Sequence, residues 1–121
     1  MITTAALLKE HSGPDTYGVA VRGTSSWATI HPYMSIYASY GAKDFDTSVT
    51  PWQAMVDSEA SIAMNEDWMR LIKEGGPPRW SEMAWYHCRD DLGNGKAAMF
   101  LDASSVSLYV NASGQFEESG Q

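Results

Sequence analysis

Gly95-Lys96-Ala97-Ala98-Met99-Phe100-Leu101-Asp102-Ala103-Ser104 places a glycine turn, an apolar strand and a small polar loop one after another. The stretch follows an amphipathic segment that ends at Leu92. That order puts Asp102, Ser104 and Ser105 at the carboxyl end of a strand, where open α/β sheets bind their ligands. A second apolar run, Tyr17-Gly18-Val19-Ala20-Val21-Arg22-Gly23, reads as another strand closed by a glycine. Its near-continuous apolar character suits a sheet covered on both faces.

The segments around these two strands read as helices. Thr3 to about His11 reads as the end of a helix, stopped by Gly13 and Pro14. From Trp27 to Tyr40, the residues Trp27, Ile30, Met34 and Tyr37 share one helical face, widened by Tyr33, Ile36 and Tyr40, which predicts a largely buried helix. Pro32 lacks a backbone donor and clashes with the preceding turn, so the main helix is expected to start near it, after a separate turn at Trp27. Gly41 ends that helix, and a short edge strand is expected around Phe45. Asp57 or Ser58 caps the next helix, which runs to about Glu74 with an inner stripe of Ala60, Ala63, Met64, Trp68, Leu71 and Ile72. Ile62 and Met69 form a second apolar strip on its opposite side. Gly75-Gly76-Pro77-Pro78 is a break. Ser81 then caps a helix to about Leu92, and a short helix follows from about Ser104 to Val110. Residues 1–110 thus read as a single α/β domain and residues 111–121 as a polar, flexible tail. Two strands are fewer than the usual five or so, and the sheet reads as incomplete.

Composition narrows the function. The chain has 121 residues, enough for one core. Its net charge of -7 argues against nucleic acid or an anionic membrane surface, which call for basic patches. No apolar run is long enough to insert into a bilayer, and Met1 to Leu8 is too short and uncharged for a secretory signal. The single cysteine excludes an internal disulfide. His87-Cys88 invites a nucleophile or metal reading, but helical neighbours diverge by about 100° and cannot converge on one atom. Cys88 reads instead as a buried small hydrophobe. His11 and His31 have no ligand-like spacing, so neither a metal nor a cofactor is expected. Trp85 shares a stripe with Cys88 and Leu92 and is expected in the core, while Trp80 is expected to anchor a loop. Arg89-Asp90-Asp91 and Asn65-Glu66-Asp67 read as solvated helix faces. Gly93-Asn94-Gly95-Lys96 precedes a strand rather than a helix, so it reads as a helix stop and not as a phosphate cradle. With no nucleophile elbow, P-loop or dinucleotide fingerprint, the sequence offers no catalytic constellation.

Five stretches, taken in order, carry a family resemblance. They are Tyr17 to Gly23 with Trp27 behind it; Tyr40-Gly41-Ala42 with Phe45-Asp46; Asp57-Ser58-Glu59-Ala60; Leu71 through Pro78; and Leu92 through Met99 leading into Asp102-Ala103. Over roughly residues 5–110 the chain resembles the sugar- and polyol-binding branch of the extracellular solute-binding proteins of ABC importers. The resemblance implies a non-enzymatic protein that binds a sugar or polyol, in a family that works outside the cytoplasm. Family members are two-lobed clamshells, and this chain resembles the central part of the second lobe, a few-stranded sheet flanked by helices. An incomplete sheet leaves a strand edge open, so a homodimer that completes the sheet is expected. A permease partner is implied only for a full-length receptor. Carried over by position, the ligand-binding residues are Arg22, Trp27, Asp102, Ser104 and Ser105. Arg22 and Asp102 would supply planar polar groups for hydroxyl pairs, and Trp27 an aromatic face. The plain alternative is that Arg22 and Asp102 form an ion pair and Trp27 is core. The competing function is a structural module whose former ligand surface is buried in a homodimer.

Overall fold

Helix α1 spans Ile2–His11, and strand β1 follows at Tyr17–Ala20. Helix α2 (Trp27–Ser39) leads into a small hairpin of β2 (Phe45–Asp46) and β3 (Gln53–Ala54). Helix α3 runs Glu59–Gly75, a 3-10 turn covers Trp80–Glu82, and helix α4 runs Trp85–Gly93. Strand β4 (Ala97–Phe100), a 3-10 turn (Ser104–Val106) and helix α5 (Ser107–Val110) complete the order. The computed structural model describes residues 1–25 and 27–110, apart from the side chains of Trp27 and Ala28; the tail expected at 111–121 lies outside the described residues.

The two apolar runs pair as expected. β1 and β4 form a parallel two-stranded sheet in the register Tyr17↔Ala97, Val19↔Met99 and Ala20↔Phe100. All four residues of β1 are buried, because helices cover it on both faces. One cover is formed by Ala5 of α1 and Leu71 of α3 around Val19, and the other by Met83, Cys88 and Ala97 around Tyr17 and Ala20. Burying an aliphatic side chain such as Leu71 stabilises by about 2 kcal/mol. The approach of α1 explains two glycines. A Cβ on Gly18 would stand 1.8 Å from the Ala5 carbonyl oxygen, and one on Gly75 would stand 2.5 Å from the Ala5 Cβ. The helix stop also holds, with Gly95 at φ +69° between α4 and β4.

Several expectations change. α2 is continuous through Pro32 rather than starting at it. At the sixth residue of the helix the proline removes one hydrogen bond, and the rest of the ladder carries on. α2 is also less buried than its composition implies: Tyr37 is buried and Tyr33 and Ile36 half-buried, while Ile30, Met34 and Tyr40 are exposed. On α3, which Ser58 caps, Ser61 is buried and Ala63 exposed, the reverse of the apolar reading. Ser61 belongs inside because its hydroxyl hydrogen-bonds with the Tyr37 hydroxyl at 2.9 Å and reaches the Met55 carbonyl at 3.2 Å. Ile62 and Met69 lie exposed on the other side. α4 begins at Trp85 rather than at Ser81, since Trp80–Glu82 forms its own 3-10 turn; His87 Nδ1 accepts the Ala84 N–H at the new start, at 3.0 Å.

The largest correction concerns Asp91. It is only 5% exposed, not part of a solvated face. Its Oδ2 accepts the Tyr17 hydroxyl at 2.5 Å and Arg79 Nη2 at 2.6 Å. Its backbone carbonyl accepts the Lys96 N–H at 2.8 Å. One aspartate therefore ties α4 to the start of β1, to the loop after α3 and to the turn before β4. Burial, followed by the bond to Asp91, pushes the Tyr17 phenol upward. Asp91→Ala should lower stability by about 2 kcal/mol, because the Tyr17 hydroxyl loses its buried acceptor. Chemical denaturation measures this, and an unchanged midpoint would remove Asp91 from that role.

Cys88 is fully buried, and burial pushes its thiol up to about 12. The folded chain keeps the proton that the unfolded chain releases near about 8.5. This contribution is complete below the unfolded value and is lost as pH rises through the folded one. A disulfide reagent at pH 8 should label the native chain far more slowly than the urea-unfolded chain. Equal rates would show an accessible thiolate.

Candidate functional site at the strand ends

The register decides which residues meet. Partners on β1 and β4 differ by a constant 80 in number, so two residues beyond Ala20↔Phe100 the chain brings Arg22 level with Asp102. Their side chains form a bidentate pair, with Arg22 Nε donating to Asp102 Oδ2 and Nη2 donating to Oδ1. The two side chains are 8% and 1% exposed. Asp102 Oδ1 also accepts the Ala103 N–H at 2.6 Å. The Arg22 carbonyl accepts Trp80 Nε1–H at 3.2 Å, so Trp80 is the loop anchor expected of it. Gly23 lies directly beneath that tryptophan, where a Cβ would come within 2.0 Å of the Trp80 carbonyl oxygen.

Beside this pair lies an open cavity of about 250 Å³. Arg22 and Ser105 line it together with His31, Trp85 and Tyr109. Asp102 borders a smaller neighbouring depression of about 160 Å³ that shares His31 with the first. Ser104 lines a third recess, with Leu92 and Phe100, and its carbonyl accepts the Ser107 hydroxyl at 2.6 Å. Trp27 opens α2, but its side chain lies outside the described residues. The structure therefore brings Arg22 and Ser105 into one cavity and Asp102 and Ser104 into a neighbouring recess, with Asp102 paired to Arg22.

Trp85 departs from its expected place. It is half-buried and belongs to the cavity wall rather than to a core cluster. Its ring meets Tyr109 at 6.1 Å between centroids, tilted by 52°. The guanidinium of Arg89 sits 5.4 Å from the Trp85 ring centre and 5.9 Å from that of Tyr109. Arg89 thus joins two aromatic rings by cation–π attraction, each contact contributing about 0.5–1 kcal/mol at a partly exposed site. Trp85 and Arg89 are one helical turn apart, and that spacing was a readable signal. Tyr109 reaches them only through the tertiary fold. Among the described residues, no group of three His, Cys, Asp or Glu could hold a metal ion, and no helix is long and apolar enough to cross a membrane.

No protein-family model matches the chain. It is 35% identical over 105 residues to the erythritol/L-threitol-binding protein of Mycolicibacterium smegmatis. That alignment covers 86% of this chain and 22% of the relative. In fold it is similar to an ABC transporter solute-binding protein from Agrobacterium vitis S4, crystallised with bound D-mannitol, at a TM-score of 0.80 and 23% identity. The match covers 96% of this chain and 27% of that one. The chain is therefore similar in sequence to one part of an erythritol/L-threitol-binding protein and in fold to one part of an ABC transporter solute-binding protein. It has a mixed α/β fold that forms a fraction of a periplasmic-binding-protein architecture, and both proteins it matches are binding proteins rather than enzymes.

Asp102→Ala would leave the Arg22 guanidinium buried without its carboxylate. Breaking a buried pair in this way costs roughly 3–5 kcal/mol. The variant should melt well below the parent chain in calorimetry, and melting within a degree of it would mean that the pair does not organise the strand ends.

Proposed function

We propose that the cavity beside Arg22 is half of a binding site for a small acyclic polyol. The observation that carries this reading is a guanidinium held in place by Asp102, with the Ser105 hydroxyl, across a cavity from the Trp85–Tyr109 wall. A polyol presents rows of hydroxyls and, between them, C–H surface. Planar donors suit the first and aromatic faces the second. The erythritol, L-threitol and D-mannitol named for the two similar proteins are of this class. Within the expected set of Arg22, Trp27, Asp102, Ser104 and Ser105, Arg22 and Ser105 contact the solute. Asp102 positions the Arg22 fork, Trp27 adds a further aromatic face, and Ser104 supports the loop. Binding involves no covalent step.

The chain spans about a quarter of the length of the proteins it matches, so transport, a permease partner and an extracytoplasmic setting belong to this proposal. One lobe encloses only part of a solute, and affinity in isolation should be weak because less surface is buried against the same association cost. The outer edge of β4 has no strand partner among the described residues, which supports the proposed homodimer. The alternative of a structural module that binds no solute is favoured by neither comparison.

Thermal unfolding with erythritol, L-threitol and D-mannitol tests the reading. Saturation at a hundredfold excess over Kd should add about 2.7 kcal/mol of stability. Ser105→Ala and Trp85→Ala should each reduce that gain while the chain still folds. A gain no larger than an equal concentration of the osmolyte trimethylamine N-oxide gives, or one that neither variant reduces, would overturn the proposal.

A further inference from the structure

At the opposite end of the strand pair lies a second cavity, of about 560 Å³. Tyr17 is the first residue of β1 and Lys96 directly precedes β4, so this opening sits at the amino ends of both strands. Three separate segments bring cations to it, Lys9 from the end of α1, Arg79 from the loop after α3 and Lys96 from the turn before β4, and a fourth, 14–16, closes the rim. Those are three of the eight lysines and arginines in the chain. Two acids, Asp15 and Asp91, line the same space. The lining carries a formal charge of +1 in a chain of net charge -7, so the remaining residues carry -8.

The cations are poorly neutralised. Among the described residues, neither Lys9 nor Lys96 has a carboxylate within ion-pair distance. Lys9 Nζ donates to the Gly76 carbonyl at 3.0 Å, which fixes the ammonium in place without cancelling its charge. Arg79 gives one Nη to the buried Asp91, and its side chain remains 50% exposed. Asp91 thereby orients the guanidinium while Tyr17 holds Asp91 from below. The walls are rigid and apolar: Pro14, Pro77 and Pro78 line them, three of the five prolines in the chain. The volume falls within the range of small-molecule pockets, about 300–1,000 Å³. A concave site of net positive charge within a chain of net negative charge favours an anion at its opening.

We infer that this cavity binds a small organic oxyanion, a carboxylate or a phosphate ester, between Lys9, Arg79 and Lys96. The guanidinium supplies the fork geometry that both groups fit, and the two ammonium groups supply the countercharge. The proline walls and the Tyr17 ring accommodate an apolar body behind the charged head. This site shares no lining residue with the polyol cavity and does not depend on it.

Titration of the isotope-labelled chain with citrate and with glycerol phosphate, followed by amide chemical shifts, tests the inference and separates the two head groups. Shifts should cluster at Lys9, Thr16, Arg79 and Lys96 and saturate at millimolar ligand. Raising sodium chloride from about 20 to about 200 mM should weaken binding severalfold, as expected of a charge-driven site. Lys9→Gln with Lys96→Gln should weaken it at least tenfold, since glutamine keeps a donor for Gly76 but no charge. Lys96→Gln alone, which removes no hydrogen bond, should weaken it about threefold and guards against misfolding of the double variant. Saturating erythritol should leave these shifts unchanged, so failure of the polyol reading would not affect them. Shifts scattered over Lys43, Lys73 and the other surface cations, or unchanged affinity in both variants, would overturn the site.

Discussion

A guanidinium and a carboxylate are buried together at the carboxyl ends of β1 and β4, and the arrangement of the surrounding loops depends on that pair. Each charge taken alone out of water would cost several kcal/mol. Together, in a two-point contact, they satisfy each other and fix the distance between two chain segments. Arg22 and Asp102 can meet only if the strands run parallel in the observed register. The loop carrying Trp80 then follows, because its indole N–H is taken by the Arg22 carbonyl and its backbone fits only over a glycine at 23. The pair therefore acts as a gauge for the sheet and as the rear wall of the cavity in front of it.

The two sides of that cavity are built by different means. On the polar side, a buried ion pair presents a guanidinium whose orientation is fixed before any ligand arrives, which lowers the ordering cost of binding. On the aromatic side, α4 and α5 are joined through Arg89, stacked between Trp85 and Tyr109. That wall is more exposed and is held by weaker forces. The geometry places rigidity at the sheet and adaptability at the helices.

Much of the fold could be read from the chain because apolar runs and glycine breaks fall at element boundaries. Tyr17 to Gly23 and Lys96 to Leu101 contained the two strands, Ser58 the cap of α3, and Gly95 the turn. The strand-end principle also located the loop at Asp102. Other features depended on polar residues that cover themselves through partners distant in sequence. Asp91 looked like a surface acid beside Arg89 and Asp90, yet it lies three residues from Cys88, on the face that turns inward. Ser61 lies outside the apolar stripe, yet it is buried because the Tyr37 hydroxyl hydrogen-bonds to it. Trp85 seemed a core residue because size and hydrophobicity do not reveal which side of a short helix faces a cleft. Hydrophobic pattern thus located the elements, while side-chain pairing determined how they turn.

The constant offset of 80 between β1 and β4 also bears on the order in which the chain acquires its structure. Joining two strands that far apart closes a long loop, at an entropic cost that grows with its logarithm, about 4 kcal/mol for 80 residues. Nothing within the sheet itself can offset this early, since among the described residues two strands form it. Local elements such as α3 and the β2–β3 hairpin need no such closure and can precede it. The ion pair at the strand ends is then among the last contacts made, and the cavity beside it is completed only when the chain has folded throughout.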